Sequence, residues 1–361
     1  QIPMANQMVF WFKTMTEHSP EIYMRRALKL AAKGRGKVSP NPMVGCVIVK
    51  NDHIIGEGWH MHYGQAHAEV NAINQVADKS QLTGADLYVS LEPCAHTGKT
   101  GPCANLVASF PFRKVYICNI DSNPLVAGKG LKIIQTAGIQ TETGILKEEG
   151  ERLNARFFTF MQKKRPYIIL KWAETADGFI ARKDYTSKWI SGNLSRQLVH
   201  KWRAEEEAIM IGTNTARYDN PSLNVRDWSG NNPTRIVLDR NLSLAMNLNI
   251  FDQSQTTLCY NQLKSDVHGK TIFIKLDQHD AWLPQILTDL YNRKIQSVLV
   301  EGGSALLNSF IENNYWDEIR RFKANDIYFK EGIPAPTVTY SVEYSEKIQN
   351  DQLEIFLNNP N

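Results

Sequence analysis

His67-Ala68-Glu69, then Pro93-Cys94, then Pro102-Cys103 bring together one imidazole, two thiols and a carboxylate, the residue types that zinc chemistry needs. Three protein ligands from His67, Cys94 and Cys103 leave a fourth position on zinc for water, as catalytic zinc sites do. Two thiolates and a neutral His offset the double charge of the ion. Bound zinc lowers the pKa of its water from 15.7 to roughly 7 and so supplies hydroxide near neutrality. Glu69, two residues from the ligand His, is expected to carry the proton from that water to the substrate and on to the leaving group.

The elements must place these groups together. Residues i and i+2 do not face each other in the middle of a helix, so the His67–Glu69 pair predicts a helix start. Gly64-Gln65-Ala66 precedes it, and residues 69–76 read as the helix. Residues 86–91 read as a strand that delivers Cys94 to a loop, and free N–H groups at a helix start favour nearby thiolates. A competing reading is a closed structural site with His60, His62 or His96 as fourth ligand; structural sites rarely need an acid beside the ligand His. A Cys94–Cys103 disulfide is the other competitor, and the cysteine usage argues against it. The H-x-E…P-C…C order is the pattern of zinc-dependent nucleobase deaminases.

With 361 residues, two domains of ordinary size are expected. A hydrophobic share of 42% and a charged share of 22% let each bury a core. The net charge of +4 is too small to imply nucleic-acid binding and suits a small phosphorylated substrate. Five Cys in a chain this long are not a disulfide framework; Cys46, Cys118 and Cys259 lie in apolar runs and read as core. No apolar run approaches the ~20 residues of a membrane span, and the cluster 8–12 lacks a cleavage site. These features predict a cytoplasmic enzyme. Gln1 is not an initiator residue, so roughly the first 15 residues are set aside from fold reasoning.

Along the first half, residues 20–33 predict an amphipathic helix with Ser19 as N-cap and Pro20 at its first position. Strands follow at 44–50 and 54–59 around a turn at Asn51-Asp52, then the His67 helix, the 86–91 strand, a helix at 105–108 and a strand at 115–120. A helix at 129–137 is capped by Gly138. The charged stretch 147–165 bridges to a second α/β pattern, with strands at 167–172, 208–212, 235–239, 271–275 and 297–300 and helices at 193–202 and 281–293. After the last of these strands comes Glu301-Gly302-Gly303-Ser304 and a helical stretch to Phe310. A strand, a Gly-Gly turn and a helix start can hold a phosphate on backbone N–H groups, or can simply close a turn.

From about residue 19 onward the chain resembles the bifunctional riboflavin-biosynthesis deaminase/reductase family. The segments that carry the likeness are 40–45, 67–69, 91–103 with its long loop between the two Cys, and 121–130. In the second half they are Lys171, Asp177-Gly178, 187–190, Arg203, 212–215, 219–226 and 301–303. The resemblance implies an α/β protein, with a cytidine-deaminase-like three-layer domain at 16–150 and a dihydrofolate-reductase-like domain at 165–361. It implies deamination of 2,5-diamino-6-(5-phosphoribosylamino)pyrimidin-4(3H)-one, with Asn41, His96, Lys99 and Thr100 holding base or phosphate. NADPH then reduces the ribosyl side chain. Lys171, Ser187, Arg203, Leu223, Arg226 and Glu301 are implied substrate residues; Trp189, Thr215, Asp219, Gly303, Ser304, Ala305 and Leu306 are implied NADPH residues. A homo-oligomer is also expected.

Departures fall in the second half. Glu174-Thr175-Ala176 precedes Asp177-Gly178, Arg240 stands where the family has a Ser, and residues 320–326 replace the family's apolar strand. Two rivals complete the expectations. One is a nucleobase or nucleic-acid deaminase with a non-catalytic C-terminal domain, which calls for a basic, aromatic-rich face. The other is a zinc-stabilised scaffold without activity.

Overall fold

Residues 45–50, Gly-Cys-Val-Ile-Val-Lys, are apolar on both faces, and they form a strand buried on both. The structure is a computed structural model describing residues 19–95, 101–123, 127–185 and 190–358. The chain divides into two compact units, Gln1–Asn154 and Ala155–Asn361.

The first unit runs α1 (Pro20–Ala31), β1 (Gly45–Lys50), β2 (His53–Trp59), α2 (Ala68–Gln75), β3 (Asp86–Leu91) and α3 (Cys103–Ala108). It continues through β4 (Lys114–Asn119), α4 (Lys129–Thr136), β5 (Gln140–Thr143) and α5 (Lys147–Leu153). The sheet order is β2-β1-β3-β4-β5. Alternation sorts its side chains into two cores. Cys46, Ile48, Leu87, Val89 and Ile117 meet α2, α3 and α4; Val47, Val49, Tyr88 and Tyr116 meet α1, with Leu146 and Leu153 packed on the same side. Each such Leu, Ile or Val contributes about 1.5–3 kcal/mol by leaving water. The result is the three-layer arrangement expected. Ser19 does not cap α1 through its side chain, and its buried Oγ has no partner among the described residues; Pro20 opens the helix unaided.

The second unit runs α6 (Ala155–Lys163), β6 (Tyr167–Glu174), β7 (Phe179–Ala181), α7 (Asn193–Glu205), β8 (Ala208–Gly212), α8 (Thr213–Asp219), β9 (Thr234–Leu238) and β10 (Thr257–Asn261). After these come β11 (Asp266–His268), β12 (Thr271–Lys275), α9 (Trp282–Asn292), β13 (Ser297–Val300) and α10 (Ser304–Glu312). The last elements are β14 (Glu318–Ala324), β15 (Ile333–Pro334), β16 (Tyr344–Ile348) and β17 (Asp351–Leu357). The large sheet has the order β11-β12-β10-β9-β8-β13-β6-β14-β17-β16. Strands β12 to β14 in that order are mutually parallel, with antiparallel edges. Helices α9 and α10 cover one face, α7 and α8 the other.

Two local expectations change. The charged stretch 147–165 is no simple bridge: it forms α5 and α6, and the boundary between units falls between them. Residues 318–324 are a central strand despite their charges. Arg320 pairs with Glu318 and Glu206, and Arg321 with Glu354 and Glu174, so the guanidiniums enter the sheet already neutralised. No helix among the described residues is long and apolar enough to cross a membrane.

Candidate active sites

In the first unit His67 is the N-cap of α2, extended at φ −75° and ψ 169°, with Glu69 in the first helical turn. The change from extended to helical backbone between them lets both side chains reach one point. Gly58 brings that turn down onto the sheet: a Cβ there would lie 2.3 Å from the Ala68 carbonyl oxygen. Asn71 fastens the preceding loop, donating to the carbonyls of Trp59 at 2.8 Å and Ala66 at 3.3 Å. Cys94 follows β3 on a loop, and Cys103 opens α3.

His67 Nδ1 lies 3.6 Å from Cys94 Sγ and 3.3 Å from Cys103 Sγ. The three donor atoms fall within 4.8 Å of one another. A tetrahedral zinc with ordinary bond lengths needs S···N edges of about 3.6 Å, so the donor set fits the ion. The Cys103 thiol and backbone N–H, with the His67 ring, are aimed at Cys94 Sγ and hold its pKa below the usual thiol value, while the contact with Cys94 and burial raise that of Cys103. The hydrogen bond to Cys94 raises the His67 pKa. A metal ion held here displaces the protons the cluster shares. Among the described residues the cluster has three members. His60, one competing fourth ligand, has its nitrogens turned to the Ala66 carbonyl and the Asn41 amide, and burial lowers its pKa.

Glu69 is 3% exposed. Its Oε2 has no hydrogen-bond partner among the described residues, and burial pushes its pKa up to about 7. A carboxyl so placed can both take and give a proton near neutrality. His67, Glu69 and Cys94 line a cavity of about 330 Å³ together with Asn41, His60 and Asp121. His96, Lys99 and Thr100 lie outside the described residues.

Sequence reasoning assigned no role to Asp121 or Glu92. Glu92 is buried and accepts backbone N–H bonds from Asp121 at 3.2 Å, Gly128 at 3.0 Å and Leu131 at 3.1 Å. It thereby ties Asp121, Gly128 and Leu131 to the arm that carries Cys94. The signal available was a Glu immediately before Pro93-Cys94, which periodicity alone does not interpret.

In the second unit Lys171 and Glu301 come together because Leu170 pairs with Val300 in register. Arg203, on α7, grips Glu301 bidentately at 2.8 and 2.7 Å and donates to the Asn224 carbonyl at 3.2 Å. Burial opposes ionisation of Glu301, but Arg203 and Lys171 override it and hold the pKa below the usual range. Burial lowers the Lys171 pKa, against the pull of Glu301. His200, one turn before Arg203 and unassigned from sequence, lies 3.3 Å from Asp227; burial, with the Arg203 and Arg226 charges, lowers its pKa. Arg226 is exposed beside Asn224 and Asp227. Leu223 turns its side chain into the core under α8, at φ +53°, so only its backbone can face a ligand.

The Gly302-Gly303 turn and the start of α10 stand beside Gly212 and the start of α8, at the carboxyl ends of neighbouring β13 and β8. Open parallel sheets bind ligands at such carboxyl ends where the strand order reverses. Gly303 adopts φ +76°, and a Cβ on Gly302 would press on the Thr215 side chain at 3.1 Å. Ser304 Oγ donates to the Pro334 carbonyl, Ala305 is exposed, and Leu306 packs under the turn. Asp219 ends α8 on the exposed side. Arg240 lies over the Trp282 ring at 5.5 Å. Ser187 and Trp189 lie outside the described residues.

Comparison with known proteins matches both units. Residues 17–119 match the cytidine and deoxycytidylate deaminase zinc-binding region, and residues 166–324 match the RibD C-terminal domain. Riboflavin biosynthesis protein RibD of Bacillus amyloliquefaciens is 40% identical over 313 residues, 84% of either chain. The Aquifex aeolicus protein of the same name is 37% identical over 338 residues, 92% of this chain and 94% of that one. The crystal structure of a diaminohydroxyphosphoribosylaminopyrimidine deaminase/5-amino-6-(5-phosphoribosylamino)uracil reductase from Thermotoga maritima superposes with TM-score 0.86 at 36% identity, covering 93% of this chain and 98% of that one. Acinetobacter baumannii RibD gives 0.84 at 34%, with the same coverage. A reductase match across the second unit disfavours a non-catalytic C-terminal domain, and Zn²⁺ and NADPH are the cofactors of the two halves. The chain therefore belongs to the RibD family of riboflavin biosynthesis proteins, bifunctional enzymes that join a zinc-dependent deaminase to a reductase.

Proposed function

We propose that the first unit removes the exocyclic amine of 2,5-diamino-6-(5-phosphoribosylamino)pyrimidin-4(3H)-one, with His67, Cys94 and Cys103 as zinc ligands and Glu69 as proton carrier. The observation that carries this reading is a buried Glu69 carboxyl, its Oε2 without a partner among the described residues, beside a ligand cluster of zinc dimensions. When bound, zinc lowers the pKa of water to about 7 and makes it the nucleophile. Glu69 would take a proton from that water and give it to the ring, then take the second proton, from the hydroxyl now on the ring carbon, and give it to the departing amine; a pKa near 7 serves each transfer. Water is consumed and ammonia released. Asn41, with His96, Lys99 and Thr100, holds the base and the phosphate.

The second unit then converts the ribosyl side chain to ribityl. NADPH, when bound, would supply the hydride to C1 of the opened sugar imine, with solvent supplying the proton to its nitrogen. Lys171, Ser187, Arg203, Leu223, Arg226 and Glu301 face the substrate, while Trp189, Thr215, Asp219 and the Gly303–Leu306 turn face NADPH. Arg203 is already committed to Glu301 and orients it; exposed Arg226, held among the described residues only by a 3.4 Å bond to Asn224 and a 3.8 Å contact with Asp227, can turn its fork to the ribose phosphate. We read the protein as a cytoplasmic homo-oligomer without nucleic-acid partners, to be checked by fractionation and sedimentation.

NADPH oxidation by the purified protein, given the diaminopyrimidine phosphoriboside, tests both halves. Oxidation that vanishes in Glu69→Ala and returns with pre-deaminated substrate supports the two activities and their order. Absence of oxidation from either substrate would overturn the reductase assignment.

A further inference from the structure

The cavity beside the zinc ligands is lined by His60, to which the chemistry above gives no role. His60 is 2% exposed. Its Nδ1 lies 3.2 Å from the Ala66 carbonyl oxygen and its Nε2 3.3 Å from the Asn41 side-chain amide nitrogen. A carbonyl can only accept, so Nδ1 carries the hydrogen and Nε2 presents its lone pair. The Asn41 amide group must then donate to Nε2, because the opposite flip would set oxygen against a lone pair. Asn41 Oδ1 has no donor among the described residues, and Asn41 lines the cavity with His67 and Glu69.

We infer that His60 is a positioning residue that fixes the amide flip of Asn41, so that Asn41 Oδ1 accepts from an N–H of the bound pyrimidine and selects a donor-bearing ring edge. The inference rests on the proposed seating of the pyrimidine in this cavity. The Ala66 carbonyl that His60 faces is also held by Asn71, on the helix that begins just after His67, so ring selection and metal ligation share one support. A freely rotating amide presents a donor or an acceptor to the ring; a fixed one presents only the acceptor.

Deaminase kinetics with the full-length zinc-loaded enzyme test this. His60→Ala is expected to raise KM on the order of tenfold, the worth of one well-placed hydrogen bond, with zinc content and the reductase rate on pre-deaminated substrate unchanged. His60→Gln, whose amide can both donate and accept, should stay near the parent. The decisive variant adds Asn41→Asp to His60→Ala: a carboxylate offers oxygen in either orientation and needs no positioning, so KM should recover most of the loss. A purely structural His60 would give no such recovery, and that result overturns the inference. So does an unchanged KM in His60→Ala when Asn41→Ala raises it. An Asn41→Ala variant with parental KM would instead overturn the seating of the pyrimidine, and the inference with it.

Discussion

Buried carboxylates are treated in opposite ways by the two units. Glu69 in the first is enclosed, and burial outweighs the opposing pull of His67, so its pKa rises to about 7. Glu206 in the second is equally enclosed, but the Arg156 and Arg320 guanidiniums overcome its desolvation and hold it down at about 2. The same side chain thus titrates near neutrality in one place and is held as an anion in the other. What decides is the neighbour, because burial alone always favours the neutral form. Around Glu206 the anions Glu318 and Asp317 and the cations Arg165, Arg156 and Arg320 cancel pairwise within the fold. Glu69 has no guanidinium to offset its burial, which suits the proton transfer proposed for it.

The comparison can be broken or sharpened by four measurements. The largest effect belongs to Glu69→Gln, which keeps shape and removes the transferable proton. Deaminase kcat should fall by about 10²- to 10⁴-fold in an ammonia-release assay, while reduction of pre-deaminated substrate is untouched. Next is Arg156→Ala. Removing one partner of a buried pair typically costs about 3–5 kcal/mol, so calorimetry should show the reductase unit melting earlier, with ammonia release retained below that transition. If both units keep their melting behaviour, Glu206 is not the fixed anion described.

Acid should distinguish the two carboxylates directly. The folded pKa of Glu206 lies below its ordinary 4.5, so the stability it gives is complete above that value and is lost as pH falls towards 2. A shift of this size corresponds to roughly 3 kcal/mol. The Glu69 shift has the opposite sign: its stability cost is present at neutral pH and above and is relieved on acidification. Denaturant titrations between pH 5 and 2.5 should therefore show the second unit weakening first. The smallest effect is expected at Arg26, whose exposed bidentate pair with Glu57 can be cut by Arg26→Ala for under about 1 kcal/mol, visible only as a slight change in urea midpoint.

The cluster of His67, Cys94 and Cys103 is legible in the sequence because its members lie on short segments with fixed spacing, and the buried strands 86–91, 208–212 and 297–300 are legible as apolar runs. Other parts were not legible, for physical reasons. Strand β5 reads Gln-Thr-Glu-Thr and lies at the edge of the first sheet, so it lacks an apolar signature. The partners of Arg320 come from Glu206 and Glu318, one of them more than a hundred residues away. A charge run can be told from a solvated face only when such partners are known. His60 looked like a spare ligand because its type was visible and its hydrogen bonds were not.

Strand β6 has a consequence in time. Its neighbours are β13 and β14, so Tyr167 waits for Ser297 and Ile169 for Glu318. At synthesis rates of about 5–20 residues per second, the apolar run Tyr-Ile-Ile-Leu leaves the ribosome roughly 7–30 seconds before its pairing edges exist. Strand β1 meets both its partners within some 45 residues. The nascent chain therefore carries a finished first unit and an unpaired sticky strand together, and it is during that interval that a holdase or a slowed ribosome would most change the yield of active enzyme.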